Sequence, residues 1–212
     1  MNGITITELA GGYRLLGLDW QDQLLPGQGL EVAGSLWPVL RADRARAECL
    51  GRAPAPAPGA AVRGPVGEPF DLTRPSPRAL LLGDDSGLAP LIFLAGRLRL
   101  HQPRVKPLLL LEARAPLPFR PVPSRIMVPG VSGGAIAALP LLEDWGVPSR
   151  LAGELPGGHD GPLEQLARDW LEVCQGTADV TVYGCGGEGL LARAGELARR
   201  WRLDCQIRAA FG

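Results

Sequence analysis

A chain of 212 residues is long enough to bury one good core, or a moderate domain beside a small one, because burial efficiency rises with size. Lysine plus arginine and aspartate plus glutamate each count 22 and cancel, so no overall field exists to hold a polyanion or an anionic membrane surface. Nucleic acid is excluded as an expected partner on that ground. A membrane is excluded because no apolar stretch approaches the ~20 residues that a span requires.

The first third reads as β structure. ITITEL (residues 4–9) and YRLLGLDW (13–20) are joined by Gly11 and Gly12, which supply the positive φ angles of a tight hairpin. LPGQGLEV (25–32) offers a further turn and short strand. RAPAPAP (52–58) loses backbone donors at alternate positions and reads as a linker or loop. From Arg78 the pattern changes. RALLLG (78–83) is a continuous apolar run stopped by glycine, as in a strand buried on both faces. LAPLIFLAGRLRL (88–100) follows as a helix with Pro90 in its first turn, where a missing N–H costs nothing. Then come strands KPLLLLEA and SRIMV, helix AIAALPLLEDW, strand PSRLAG, helix PLEQLARDWLEV, strand DVTVY, helix EGLLARAGELARRW and strand DCQIR. The predicted fold class is α/β: a mostly parallel C-terminal sheet covered by helices on both faces, behind a small, incomplete N-terminal antiparallel β-barrel.

Ligands of an open parallel sheet bind beyond the carboxyl ends of its strands, which directs attention to three loops. In GDDSGLAP (83–90), small residues would let a pyrophosphate reach the N–H groups at a helix start, with the Ser86 hydroxyl as a further donor. Asp84 and Asp85 oppose such an anion unless they point away or hold a cation, and removal of Asp85 is expected to strengthen binding. The same loop also reads as a simple helix start capped by Asp or Ser. YGCGGEG (183–189) contains a formal G-x-G-x-x-G at Gly184, Gly186 and Gly189, with Asp204 some way on. It lies in the last strand–helix unit, so a glycine turn for close helix packing is the competing reading. PGVSGG (129–134) matches the G-x-S-x-G elbow at Ser132, with Asp144 or Glu154 and then His159 in hydrolase order. A serine hydrolase at Ser132 is a minor alternative. Cys49, Cys174, Cys185 and Cys205 form no C-x-x-C, so their spacing writes no metal site. The start, MNGITITELAGGYRL, has no charged segment before an apolar run, which predicts a cytoplasmic protein with reduced thiols.

Taken in order, VRGPVGEPFDL (62–72), RALLLGDDSGLAPLIFLA, LLEDWGVPSRLAGELPGGHDGPLEQLARDWL and VYGCGGEGLLARAGELARR resemble the electron-transfer subunit of bacterial dihydroorotate dehydrogenase, within the ferredoxin–NADP reductase superfamily. The resemblance implies a flavin barrel over residues 1–72, a NAD(P)-binding domain over residues 73–212, and a site in the cleft between them. It places the nucleotide on Gly83, Asp84, Asp85, Ser86, Gly87, Leu88, Ala89 and Pro90 and on Cys185, Gly186, Gly187 and Glu188, with Asp85 and Gly187 replacing a family glycine and proline. The family's Gly-Pro-x-Gly falls on Gly64, Pro65 and Gly67. Its flavin-phosphate arginine and serine are replaced within Trp37, Pro38, Val39 and Leu40, so FAD should bind weakly and the protein should be colourless as purified. The chain stops at CQIRAAFG, before the family's iron–sulfur loop, so no iron–sulfur cluster is expected. The expected activity is electron movement between NAD(P)H and a flavin, with no side-chain acid or base and with a partner redox subunit or a homodimer as the assembly. The alternative is a reductase-derived partner or ligand-binding subunit without redox turnover.

Overall fold

The computed structural model describes residues 3–114, 116–174 and 179–211. Strands β1 (Ile4–Glu8), β2 (Arg14–Asp19), β3 (Gly29–Val32), β4 (Ser35–Ala42), β5 (Arg46–Gly51) and β6 (Val62–Val66) form an antiparallel sheet of spatial order β1-β2-β5-β4-β3-β6. The expected hairpin is present: β1 pairs with β2 through a 3₁₀ turn in which Gly11 and Gly12 have φ of 69° and 72°. Residues 52–61 form the loop before β6, as the Pro/Ala run predicts. The sheet curls around Leu16, Leu18, Leu30, Trp37, Val39 and Cys49, all fully buried.

The second half contains β7 (Arg78–Asp84), α1 (Leu88–His101), β8 (Lys106–Glu112), β9 (Val122–Pro123), β10 (Ala137–Ala138), α2 (Pro140–Trp145), β11 (Ser149–Ala152), α3 (Leu163–Val173), β12 (Val180–Gly186), α4 (Glu188–Trp201) and β13 (Asp204–Ala209). Five of these strands make a parallel sheet of order β11-β8-β7-β12-β13. Along β7, Ala79 and Leu81 face one core with α1 and α2, while Leu80 and Leu82 face the other with α3 and α4. Burial on both faces is why the strand reads as an unbroken apolar run. Helix α1 is buried from Leu88 to Ala95, because it lies between the parallel sheet and the barrel and sends Phe93 into the barrel core.

Two expected elements differ. SRIMV (124–128) is not a strand; the only pairing nearby among the described residues joins β9 to β10. The expected helix over 135–145 is confined to α2, which starts at Pro140. Side chains account for both departures. The Glu143 carboxylate accepts hydrogen bonds from the Ser124 hydroxyl at 2.6 Å and the Arg125 N–H at 2.9 Å. The buried Arg150 guanidinium donates to Ser124 Oγ at 2.8 Å and to the Ile126 carbonyl at 2.7 Å. Backbone groups satisfied by side chains in this way need no ladder.

The two-sided burial of β7 sets an expectation for stability. Leu81→Ala should lower the unfolding free energy in urea by about 2–5 kcal/mol, the range for a fully buried leucine. Leu100→Ala, at a side chain 65% exposed near the end of α1, should change it by no more than about 0.5 kcal/mol.

Candidate functional site

Strand order reverses between β7 and β12, because the chain moves from β7 to β8 and β11 on one side and returns to β12 and β13 on the other. Such a switch point opens a crevice outside the strand ends. Here it is bounded by the turn from β7 into α1 and by the turn from β12 into α4. The two turns touch. A Cβ on Gly87 would lie 1.9 Å from the carbonyl oxygen of Cys185, so only glycine permits this approach.

Asp84, the last residue of β7, caps the 3₁₀ turn that precedes α1. Its Oδ1 accepts from the Ser86 N–H at 2.9 Å, the Ser86 hydroxyl at 2.5 Å and the Gly87 N–H at 3.2 Å, and its Oδ2 accepts from the Gly187 N–H at 2.8 Å. The reading of residues 83–90 as a capped helix start is therefore correct. Asp85 faces elsewhere. Its carboxylate accepts from the Arg114 N–H at 3.1 Å and lies 3.8 Å from the Arg52 guanidinium, while its carbonyl accepts from the Tyr13 hydroxyl at 3.5 Å. Burial raises the Asp85 carboxyl above its ordinary range. Burial, and then the Asp85 charge, push the Tyr13 hydroxyl up to about 12. Of the two carboxylates expected to oppose a diphosphate, Asp84 holds the backbone donors, whereas Asp85 ties the parallel sheet to the barrel.

The crevice continues into a cleft of about 930 Å³ between the two sheets. The barrel side contributes Tyr13, Leu36, Pro38, Leu50, Gly51 and Arg52. Arg52 stacks over the Tyr13 ring at 4.1 Å from its centroid. On the opposite side, Asp84, Asp85, Ser86, Leu88, Ala89 and Gly187 line the cleft. Gly83, Gly87, Pro90, Cys185 and Gly186 are buried behind this surface, and Glu188 is exposed in the first turn of α4. At Gly186 a Cβ would meet the Asp84 carboxylate at 2.8 Å. Gly184 packs β12 against α4 and β13, as the close-packing reading of the glycine run requires, and Asp204 begins an outer strand.

Sequence reasoning missed Tyr13, Arg52, Glu112, Arg193 and Phe211. Glu112 carried a usable signal, since it ends the strand next to β7. Its carboxylate bonds Arg193, which also bonds Glu164. Phe211 carried none; its ring lies over Gly29 and Gly67, and the φ of +91° at Gly67 gives the Gly-Pro-x-Gly segment a packing role. Trp37 and Val39 point into the barrel, so of the four residues at the expected flavin segment only Pro38 faces the cleft. The elbow at Ser132 does not form. No strand precedes it, and its hydroxyl accepts only a long bond from the Gly134 N–H at 3.3 Å. His159 is buried, and its Nε2 has no hydrogen-bond partner.

No family model matches the chain. Over 155 residues it is 32% identical to the probable dihydroorotate dehydrogenase B (NAD(+)) electron transfer subunit of Methanopyrus kandleri, covering 69% of this chain and 47% of that protein. The chain thus spans about half the length of this curated relative. A ferredoxin–NADP+ reductase from Neisseria gonorrhoeae, solved with FAD and NADP, superposes with a TM-score of 0.64 at 11% identity over 98% of both chains. An NADH-dependent reduced ferredoxin–NADP oxidoreductase gives 0.70 at 14% identity, over 98% of this chain and 75% of the other. The chain is thus similar in sequence to an electron transfer subunit and has the fold of the ferredoxin–NADP reductases. The antiparallel barrel and parallel sheet are the two layers of that fold. Among the described residues, no helix is long and apolar enough to cross a membrane.

Within the reductase fold, Cys185 is a packing residue. Burial, with the Asp84 charge adding to it, pushes its thiol up to about 12, and burial does the same to Cys49. Iodoacetamide in mildly alkaline solution should therefore modify the exposed Cys205 first and reach Cys49 and Cys185 only on unfolding, as read by peptide mass mapping.

Proposed function

We propose that the chain moves electrons between NAD(P)H and a flavin in the cleft between a barrel unit, residues 1–72, and a nucleotide unit, residues 73–212. The observation that carries this reading is that the switch-point crevice and the barrel wall open into one cleft. Its size lies within the ~300–1,000 Å³ of ordinary cofactor sites. When bound, a flavin and a nicotinamide supply the hydride chemistry themselves. The chain's part is to orient them and keep out water. Leu36, Pro38, Leu50 and Phe211 offer apolar surface to a planar ring. Arg52, 48% exposed in its side chain and preset over Tyr13, is the cation that the barrel wall presents among its described lining residues. It would take the flavin phosphate in place of the absent arginine near Trp37.

The M. kandleri relative is named as an electron transfer subunit, which supports a partner redox subunit, with a homodimer as the other assembly. Four unpaired thiols support a reducing, cytoplasmic compartment. One observation favours the second reading, a ligand-binding subunit without turnover: the donors around residues 84–87 already serve Asp84.

Absorption spectroscopy separates the two. The purified protein should be colourless, retain a flavin band after incubation with FAD and desalting, and lose it with NADH. Arg52→Ala should weaken FAD binding about tenfold, the effect of roughly 1.4 kcal/mol and near the low end for a charge-assisted hydrogen bond. Absence of any retained flavin after incubation with excess FAD and desalting would leave only the second reading.

A further inference from the structure

A diphosphate at a switch-point crevice is ordinarily held by the N–H groups of the first strand–helix turn and of the loop across from it. In this chain those groups are engaged. The N–H groups of Ser86, Gly87 and Gly187 and the hydroxyl of Ser86 all donate to one side chain, Asp84. Three of the four donors converge on Oδ1 and the fourth, from across the crevice, on Oδ2. The carboxylate bridges both sides of the crevice, as a bound anion would.

The surroundings are shaped around this side chain. Gly186 leaves no room for a Cβ beside the Asp84 carboxylate, and Gly187 turns its N–H onto it at the cap of α4. Capping accounts for the bonds to residues 86 and 87 but not for the bond across the crevice to the Gly187 N–H. Among the described residues, no group of three His, Cys, Asp or Glu side chains could hold a metal ion, so a bridging cation is not built in. Nor does an arginine within salt-bridge distance compensate Asp84, whereas Arg52 pairs with Asp85 and both Arg114 and Arg193 pair with Glu112. The compensation for Asp84 consists of backbone N–H groups and one hydroxyl, the same donors a diphosphate would use.

We propose that Asp84 is a resident anion filling the diphosphate cradle of the crevice, and that it sets the chain's affinity for dinucleotides. NAD(P)H then binds only by displacing a carboxylate that is covalently part of β7, so its affinity is reduced at the phosphates and not at the rings. This rests on the reading that a nicotinamide dinucleotide is the ligand of the cleft. It makes Asp84, not its neighbour Asp85, the specificity-determining residue.

The test is calorimetric titration of the full chain with inorganic pyrophosphate and, separately, NADH. The wild type, Asp84→Gly, Asp84→Asn, Asp85→Gly and a Ser132→Ala control would be compared, each checked for native circular dichroism. The wild type and the control should show no saturable pyrophosphate binding. Asp84→Gly should acquire it and bind NADH at least tenfold tighter, and Asp84→Asn, which removes the charge but keeps an amide in place, should move the same way by less. Asp85→Gly should show no comparable gain. Should Asp84→Gly fail to fold, the asparagine variant carries the comparison. Pyrophosphate binding by the wild type in competition with NADH would overturn the proposal. So would folded Asp84 variants that bind no tighter than the wild type, or an equal gain in Asp85→Gly. A gain for pyrophosphate with NADH bound by no variant upholds the resident anion and removes the nicotinamide reading. Equal NADH binding by wild type and Asp84→Gly does the reverse.

Discussion

The turn after β7 and the end of β12 meet backbone to backbone, and this contact is the constraint on which the rest of the site depends. With no side chain at Gly87, the Cys185 carbonyl comes to where a Cβ would stand. The approach brings the α1 and α4 starts within reach of one side chain, and Asp84 spans them. It also buries Cys185 so fully that its thiol is inert at ordinary pH. A larger residue at position 87 would part the two turns, and the bridging carboxylate would then lose a partner on one side.

Helix α1 transmits that constraint to the barrel. Over residues 88–95 it is apolar around its whole circumference because one side closes the core beside β7 and β8 and another presses on β4, with Phe93 seated inside the barrel. The barrel wall and the crevice are thus fixed relative to one another by a shared core. The polar tie of Asp85 to Arg52 and Tyr13 sits at the rim of that junction. With Arg52 half exposed, the pair contributes little on its own, ~0–1 kcal/mol, and its effect is to aim the guanidinium into the cleft.

The parallel sheet was legible wherever periodicity spoke for itself. RALLLG and KPLLLLEA could hardly be anything but strands buried on both faces, and the patterns of α3 and α4 alternate cleanly between buried and exposed residues. Strand β4 was not recognised as one because LWPVL contains a proline and does not alternate. It is packed on both faces, with Trp37 and Val39 inside the barrel and Leu40 toward α1. The segment 124–138 misled for a different reason: its conformation is set by Glu143 and Arg150, which are 19 and 26 residues from Ser124 and leave no local signal. Two of the three loops picked out at strand ends do follow strands, β7 and β12, whereas the one at Ser132 does not. The barrel's contribution to the cleft was not legible, since Tyr13, Arg52 and Phe211 meet there only through the packing of two sheets.

The adjacent carboxylates show where a linear reading of charge stops being informative. In sequence, Asp84-Asp85 is a doublet of negative charge at the turn into a helix, and nothing in the sequence distinguishes the two in their opposition to an anion. In space they are separated by the boundary between a strand and a 3₁₀ turn, and successive side chains at a strand end point to opposite faces. Asp84 therefore turns into the crevice, where backbone donors replace its hydration. Asp85 turns toward Arg52 and the Arg114 N–H. The partners of Asp84 come from the two crevice turns, and those of Asp85 from Arg52 of the barrel and the Arg114 N–H. An anion entering the crevice competes with Asp84 for particular hydrogen bonds, and that competition cannot be screened away by salt as a diffuse repulsion would be.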